Sequence, residues 1–264
     1  MPYRYETHLH TSRGSACGRS TGREHAQYYK EIGYQGIIIT DHFFGGNTTV
    51  PKDLPWRDRV EMYCKGYEEA LEEGRRIGLD VFFGWEQNFD LDEYLVYGLD
   101  KQWLLDHPEV VHWTRRQQLE EVHRYGGCVI QAHPFRDRAY IPRVLLGKNF
   151  SDGIEVANAG QFGYNDAAAM RYGREFDLVM IAGSDNHKSN DAKWTPDKMM
   201  GIETEEKLES IHDLVALIRN RGEIGLYVPQ GRFDLHPSED PHIESFWLNE
   251  NEEAVPTERD WLYE

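Results

Sequence analysis

The chain has only three cysteines, Cys17, Cys64 and Cys128, an odd number at wide spacings with no CxxC pair. Neither a disulfide framework nor a zinc ribbon is expected from such a set. No apolar run approaches the roughly 20 residues that span a bilayer. The opening MPYRYETHLH carries no apolar signal core, so a cytoplasmic location with no membrane partner is expected. Basic residues are also scarce: 29 Lys and Arg stand against 46 Asp and Glu, a net charge of −17, with no basic run of four. Such a surface repels phosphate backbones, so a nucleic-acid polymer is not the expected partner. Residues 236–264 carry nine acids and one Arg, which reads as an acidic C-terminal extension, 229–264, packed on or trailing from the body. Trp247 and Trp261 suggest that it docks.

Short apolar runs alternate with longer amphipathic ones. Strands are expected over 3–8, 36–40, 80–85, 94–98, 128–132, 153–157, 179–183 and 223–228, and helices near 21–32, 57–77, 114–125, 164–175 and 205–220. Gly33, Gly78, Gly126 and Gly222 fall where a glycine follows a helix C-terminus. This alternation predicts an α/β chain built on a parallel sheet, a single barrel domain over 1–228. A doubly wound sheet is the other option, but no GxGxxG follows the first strand.

The strand ends carry the chemistry. His8 and His10 follow the first, Asp41 and His42 the second, Glu86 the third and His133 the 128–132 strand; Glu155 and Asn158 end 153–157, and Asp185 and His187 follow 179–183. An extended His8-Leu9-His10 puts both imidazoles on one side, and Asp185-Asn186-His187 behaves likewise. Imidazole and carboxylate together suit Zn, Mn or Fe, and a Glu among several His can bridge two ions. A lone histidine is more often a surface or core residue than a ligand, and His25, His107, His112, His123, His212, His236 and His242 are read so.

The motifs HLHT (8–11), TDH (40–42), Glu86, AHP (132–134) and SDNH (184–187), in this order, resemble those of the PHP (polymerase and histidinol phosphatase) superfamily. The resemblance spans residues 8–187. It implies a distorted (β/α)7 TIM-like barrel, two or three divalent transition-metal ions and phosphoesterase activity. It makes His8, His10, His42, Glu86, His133, Asp185 and His187 the metal ligands and puts Asp41 behind a ligand histidine. Two positions depart from the pattern. The loop after HLHT carries Ala16 and Cys17, and Gly98-Leu99-Asp100 stands where many members have a His. Cys17 and Asp100 are the substitute ligands to consider, with Glu155 a further one.

The expected reaction is hydrolysis of a small phosphorylated metabolite, a monoester or small diester, by a hydroxide bridging two cations. Glu86 would bridge, and Arg136 in AHPFR would hold a phosphate oxygen. Arg19, Arg13 and Asn158 are lesser substrate-binding candidates. The long 43–79 insertion and the acidic tail could narrow the mouth. The alternatives are a metal-dependent amidohydrolase and a catalytically inactive interaction module.

Overall fold

A computed structural model describes residues 2–189, 191, 195–234 and 244–261. The chain starts with β1 (Tyr3–Glu6), α1 (Gly22–Glu31) and β2 (Gly36–Ile39). Thr21 and Glu24 form a capping box that starts α1. The expected helix 57–77 is two, α2 (Trp56–Tyr63) and α3 (Lys65–Ile77), which meet at Cys64. Beside the break, Gly66 lies so close to Thr11 that a Cβ would stand 2.0 Å from its Oγ1. Only glycine lets α3 approach the loop after β1 so closely.

Next come β3 (Asp80–Phe89), β4 (Asp92–Tyr97), α4 (Lys101–Asp106), α5 (Arg115–Arg124), β5 (Cys128–Ala132), β6 (Val144–Leu146) and β7 (Gly153–Asn158). They are followed by α6 (Gly163–Glu175), β8 (Val179–Gly183), β9 (Gly201–Thr204), α7 (Ile211–Arg219) and β10 (Gly225–Tyr227). The last described strands are β11 (Ser245–Leu248) and β12 (Ala254–Pro256). Gly33, Gly78 and Gly126 do take left-handed φ after their helices, but after α7 that conformation falls on Arg221, not Gly222.

Nine strands form one sheet in the order β10-β9-β1-β2-β3-β4-β5-β7-β8, curled into a nearly closed barrel. Its ends meet where Thr7 Oγ1 donates to Ala182 O at 2.8 Å and Met200 N–H to Ser184 Oγ at 2.9 Å. The fold is thus a TIM-like α/β barrel, but its sheet is not wholly parallel. β1-β2-β3 and β5-β7-β8 run parallel, whereas β4 is antiparallel to both β3 and β5. β3 and β4 are joined at Asp90 and Leu91, far too short a link for the dozen or more residues of a parallel crossover. β9, not anticipated from the sequence, is antiparallel to β1 and β10.

Strands β2, β4, β5 and β7 are buried along their whole length. This is the pattern of a sheet covered on both faces. Residues 244–261 lie on the barrel. β11 pairs parallel with β6, and Trp261, 3% exposed, packs on Phe135, Tyr172 and Phe176. Among the described residues no helix is long and apolar enough to cross a membrane.

Candidate metal centre

The centre begins where β1 gives way to the HLH segment. Leu9 N–H donates to Thr40 Oγ1 at 2.9 Å, and Leu9 pairs with Asn186 beyond β8. Leu9 is fully buried in the outer core, which leaves the rings of His8 and His10 together on the other side. Below them Glu6 accepts from His8 N–H, Ser184 N–H and the Tyr29 hydroxyl, tying the end of β1 to the end of β8. Burial pushes its carboxyl up to about 7.

Each ring of this pair is held from behind. Glu155 Oε1 accepts from His8 Nδ1 at 3.0 Å, and Glu155 is in turn held by His133 N–H and the Asn158 amide. Ser15 Oγ lies 3.0 Å from His10 Nδ1 and spends its own proton on Asp41 Oδ1 at 2.7 Å, so it accepts from the imidazole. Both rings therefore carry a proton on Nδ1 and turn Nε2 towards each other. Those two Nε2 atoms are 3.1 Å apart. A proton carried by His8 keeps two lone pairs from facing each other there, and a divalent cation would take its place.

Carboxylates surround the pair. Glu86 Oε1 is 3.2 Å from His8 Nε2 and 3.1 Å from His133 Nε2, while its Oε2 is 3.5 Å from His10 Nε2 and 2.6 Å from His42 Nδ1. The two oxygens thus face two different sets of rings. His42 Nδ1 and Glu86 Oε2 are buried, yet neither makes a hydrogen bond of acceptable geometry. Asp185 Oδ1 lies 3.1 Å from His10 Nε2. Among the described residues, four triplets have ligand atoms within 4.8 Å of one another: His8/His10/Asp185, His8/Glu86/His133, His10/His42/His187 and His42/Glu86/Glu93. His133 and Asp185 have φ of 26° and 53°, left-handed conformations that cost a non-glycine residue energy and tend to occur at functional sites.

Protonation follows from these contacts. Burial alone would lower His8, but Glu155, Glu86 and Asp185 outweigh it and raise it well above the ordinary value. His42 is raised in the same way, chiefly by Glu86. His10 goes well down, through burial and the neighbouring His42 and His187. Burial would raise Glu86 and Asp185, but the surrounding histidines hold both well below the usual carboxylate range. Burial likewise raises the Cys17 thiol, but His187 and His42 reverse this and bring it down to about 6.

The seven residues expected as ligands all meet here. Other expectations are corrected. Glu86 does not end its strand, because β3 continues to Phe89 against β4. Glu155 bonds the outer nitrogen of His8, so it braces that ring from behind. Asp41 touches no imidazole directly and acts through Ser15, while also accepting from Thr11 N–H and Oγ1 at 2.6 Å each. Asn158 is fully buried beside Glu155 and is not a substrate contact. Asp100 is exposed and caps α4 by accepting from Trp103 N–H at 2.8 Å. Arg19 is exposed and only its backbone N–H reaches the centre, on His187 O, while Arg13 pairs with Glu69. Two contributors, Ser15 and Glu93, were not foreseen.

Among the histidines set aside, His25 is fully buried with Nε2 on His10 O at 3.0 Å, and burial lowers it to about 3. His123 is not a free surface residue, since its Nε2 lies 2.8 Å from Asp152 Oδ1. His107 stacks on Trp103, and His212 is exposed. His236 and His242 lie outside the described residues.

A cavity of about 550 Å³ opens on the centre, lined by Cys17, His42, Asp185 and His187 on one side and by Asn88, Asp90, Glu93, Arg136 and Tyr140 on the other. Arg136 is the only Arg or Lys among the described residues that line it; Nη1 pairs with Glu93 and Nη2 donates to the Tyr140 hydroxyl at 2.7 Å. Of the 43–79 segment only 45–47 line this cavity, and no described residue of the C-terminal extension does. Converging imidazole nitrogens and ionised carboxylates fit divalent cations.

No family model and no curated protein matches this chain. Solved structures do. One is a two-domain protein of Bacteroides vulgatus ATCC 8482 containing a predicted PHP-like metal-dependent phosphoesterase, with a TM-score of 0.63 and 15% identity over 87% of this chain. The present chain spans 65% of that protein's length. A protein of Bifidobacterium adolescentis ATCC 15703, described provisionally as a metal-dependent phosphoesterase, gives a TM-score of 0.51 at 16% identity, over 83% of this chain and 96% of its own. PsfC from Pseudomonas syringae PB-5123 gives 0.54 at 14%, over 88% and 94%. The chain therefore shares the fold of PHP-like metal-dependent phosphoesterases, in agreement with the motif resemblance.

Proposed function

We propose that this chain, on a PHP-like fold, is a metal-dependent hydrolase of phosphate esters acting on a small phosphorylated metabolite, a monoester or small diester. The observation that carries the reading is Glu86, whose two oxygens face separate sets of imidazoles, one of which, His42, lines an open cavity. His8, His10, His42, His133, His187, Glu86 and Asp185 would hold two or three divalent cations such as Zn, Mn or Fe. When bound, these would supply the Lewis acidity that acidifies a water and offsets charge on the phosphoryl group.

The protein's own groups do the rest. Glu155 and Ser15 fix the tautomers of His8 and His10. Arg136, steadied by Glu93 and Tyr140, offers N–H donors to a phosphate oxygen from the cavity wall. With Arg136 the single Arg or Lys among the described lining residues and acids at Asp90 and Glu93, the cavity suits one phosphate and not a polymer that needs several neutralising contacts.

The test is a screen of metal-loaded protein. Nucleoside monophosphates, sugar phosphates and p-nitrophenyl phosphate would be compared with single-stranded oligonucleotides and a panel of acyl amides. Turnover is expected on the small esters. Faster cleavage of oligonucleotides, or of amides alone, would overturn the reading.

A further inference from the structure

The loop that follows β7 is gripped by a residue from outside the barrel strands. Arg232 stands in the segment after β10, beside Phe233, which packs on Ala157 of β7 and Ala182 of β8. Its Nε donates to Asp166 Oδ2 at 2.6 Å, and its Nη2 to two backbone carbonyls, Asn158 O at 3.0 Å and Gln161 O at 2.8 Å. Asp166, in the first turn of α6, is buried, and the same oxygen accepts from Asn158 N–H at 3.3 Å. One guanidinium thus holds both ends of the 158–161 loop.

That loop backs onto the centre at two places. Asn158 Nδ2 donates to Glu155 Oε2 at 2.9 Å, and Glu155 Oε1 stands 3.0 Å from His8 Nδ1. Asn158 Oδ1 accepts from Gly160 N–H at 2.8 Å. A Cβ on Gly160 would stand 3.1 Å from Asp185 Oδ2, so the loop passes close against that carboxylate.

We propose that Arg232 is a positioning residue of the metal centre, setting Glu155 through Asn158 and the ring of His8 through Glu155. The inference rests on the metal-dependent reading above. Both backbone groups of Asn158 are bonded to the Arg232–Asp166 pair, so the pair fixes where the Asn158 amide points. Without Arg232 the Asp166 carboxylate would be a buried charge lacking its partner, and two carbonyls would lose a donor. Arg232 is not among the described residues that line the cavity, so its effect on the centre has to pass through this chain of bonds. The sign of that effect is informative. A positive charge near a cation site repels the cation, so removing it would strengthen metal binding on Coulomb grounds alone. Positioning requires the opposite, a loss of affinity.

The test is zinc affinity of the full chain, by competition with a chromophoric chelator well below the melting transition. Wild type, Arg232→Ala, Glu155→Gln and the double variant are compared. Arg232→Ala is expected to weaken binding about 10-fold in the wild-type background, and less than about 2-fold where Glu155 is already changed. An ion pair that only stabilised the start of α6 would lower the melting temperature and leave this affinity unmoved. Affinity in Arg232→Ala equal to or tighter than wild type would therefore overturn the inference. Losses that multiply in the double variant would overturn it too, since Arg232 would then act by another route. In both cases the metal-dependent reading would stand. If the wild type took up no divalent cation, both readings would fail. Where Arg232→Ala folds poorly, Arg232→Met combined with Asp166→Asn removes the ion pair without leaving a buried charge, and the same comparison is made with it.

Discussion

Glu155 Oε1 stands 3.0 Å from His8 Nδ1, while the opposite ring nitrogen lies 3.2 Å from Glu86 Oε1. One imidazole therefore links an orienting carboxylate to the carboxylate at the heart of the centre. Such a partner fixes the tautomer and raises the basicity of the ligand nitrogen. Glu155→Gln keeps the shape but removes the charge. Metal affinity is expected to fall by roughly 10–100-fold, measured by competition with a chromophoric chelator. An unchanged affinity would show that the His8 ring needs no support from behind.

Glu86→Gln is expected to remove nearly all hydrolytic activity while the far-ultraviolet circular dichroism stays that of the wild type. The amide cannot offer two anionic oxygens to two sets of rings. His123→Ala makes a useful contrast. It breaks a half-exposed pair with Asp152, whose Oδ2 still accepts from Val129 N–H at 2.8 Å. A stability loss of about 1 kcal/mol is expected there, with turnover unchanged. Equal losses of activity at the two positions would contradict the assignment of the centre.

That the candidate ligand residues cluster could be read from the sequence because each sits at or just past an apolar run, and parallel strands deliver such residues to one end of a barrel. Glu93 could not be found in this way. It lies near the start of β4, and it reaches the centre only because β4 runs against its neighbours, with Glu93 opposite Ala132, the residue before His133. The short link between the third and fourth apolar runs was the available signal for that reversal. Ser15 was hidden among the small residues of an irregular loop, where no periodicity points to a contact. Asp100 misled because a carboxylate after a strand can equally cap the next helix, which is what it does.

Metal binding should weaken as pH falls. In the cation-free protein His8 and His42 hold protons above the ordinary His range, and a cation must displace them. Because their folded-state values are raised, the stability they contribute is fully present below about 6.5 and is lost as pH rises through the folded values. Glu86 and Asp185, depressed well below their ordinary range, stay ionised throughout that window. Raising the pH therefore destabilises the cation-free form and favours the loaded one. Melting temperatures with and without zinc, taken from pH 6 upward in steps of about one unit, should diverge. A gap that narrows with pH would be the contrary result.

Arg136→Ala is expected to lower kcat/KM on a phosphate monoester by about 10–100-fold, the value of one or two charge-assisted hydrogen bonds. Arg136→Lys should recover only part, since an ammonium cannot bond Glu93, Tyr140 and a phosphate oxygen in one plane. Metal content should be retained in both variants. If Arg136→Ala turned over like the wild type, the phosphate would have to be held elsewhere.

The C-terminal extension should matter to the centre although it does not line the cavity. Trp261 is 3% exposed and sits among Phe135, Tyr172, Phe176 and Trp247, and its carbonyl accepts from Arg171 Nε at 2.9 Å. Truncating a buried Trp costs about 3–5 kcal/mol. Phe135 lies between His133, which faces Glu86, and Arg136, which pairs with Glu93. A cavity opened against Phe135 loosens the segment that carries both. A second tie runs through Glu252, which accepts from Arg115 and Arg116 N–H at 3.2 and 2.9 Å, while Arg115 pairs with Asp92 next to Glu93. Trp261→Ala is therefore expected to lower the melting temperature and also to weaken metal binding. Trp261→Phe, which refills most of the volume, should restore both. The two are separable by titrating metal well below the melting transition. A variant that melts early yet binds metal with wild-type affinity would show that the extension serves stability alone.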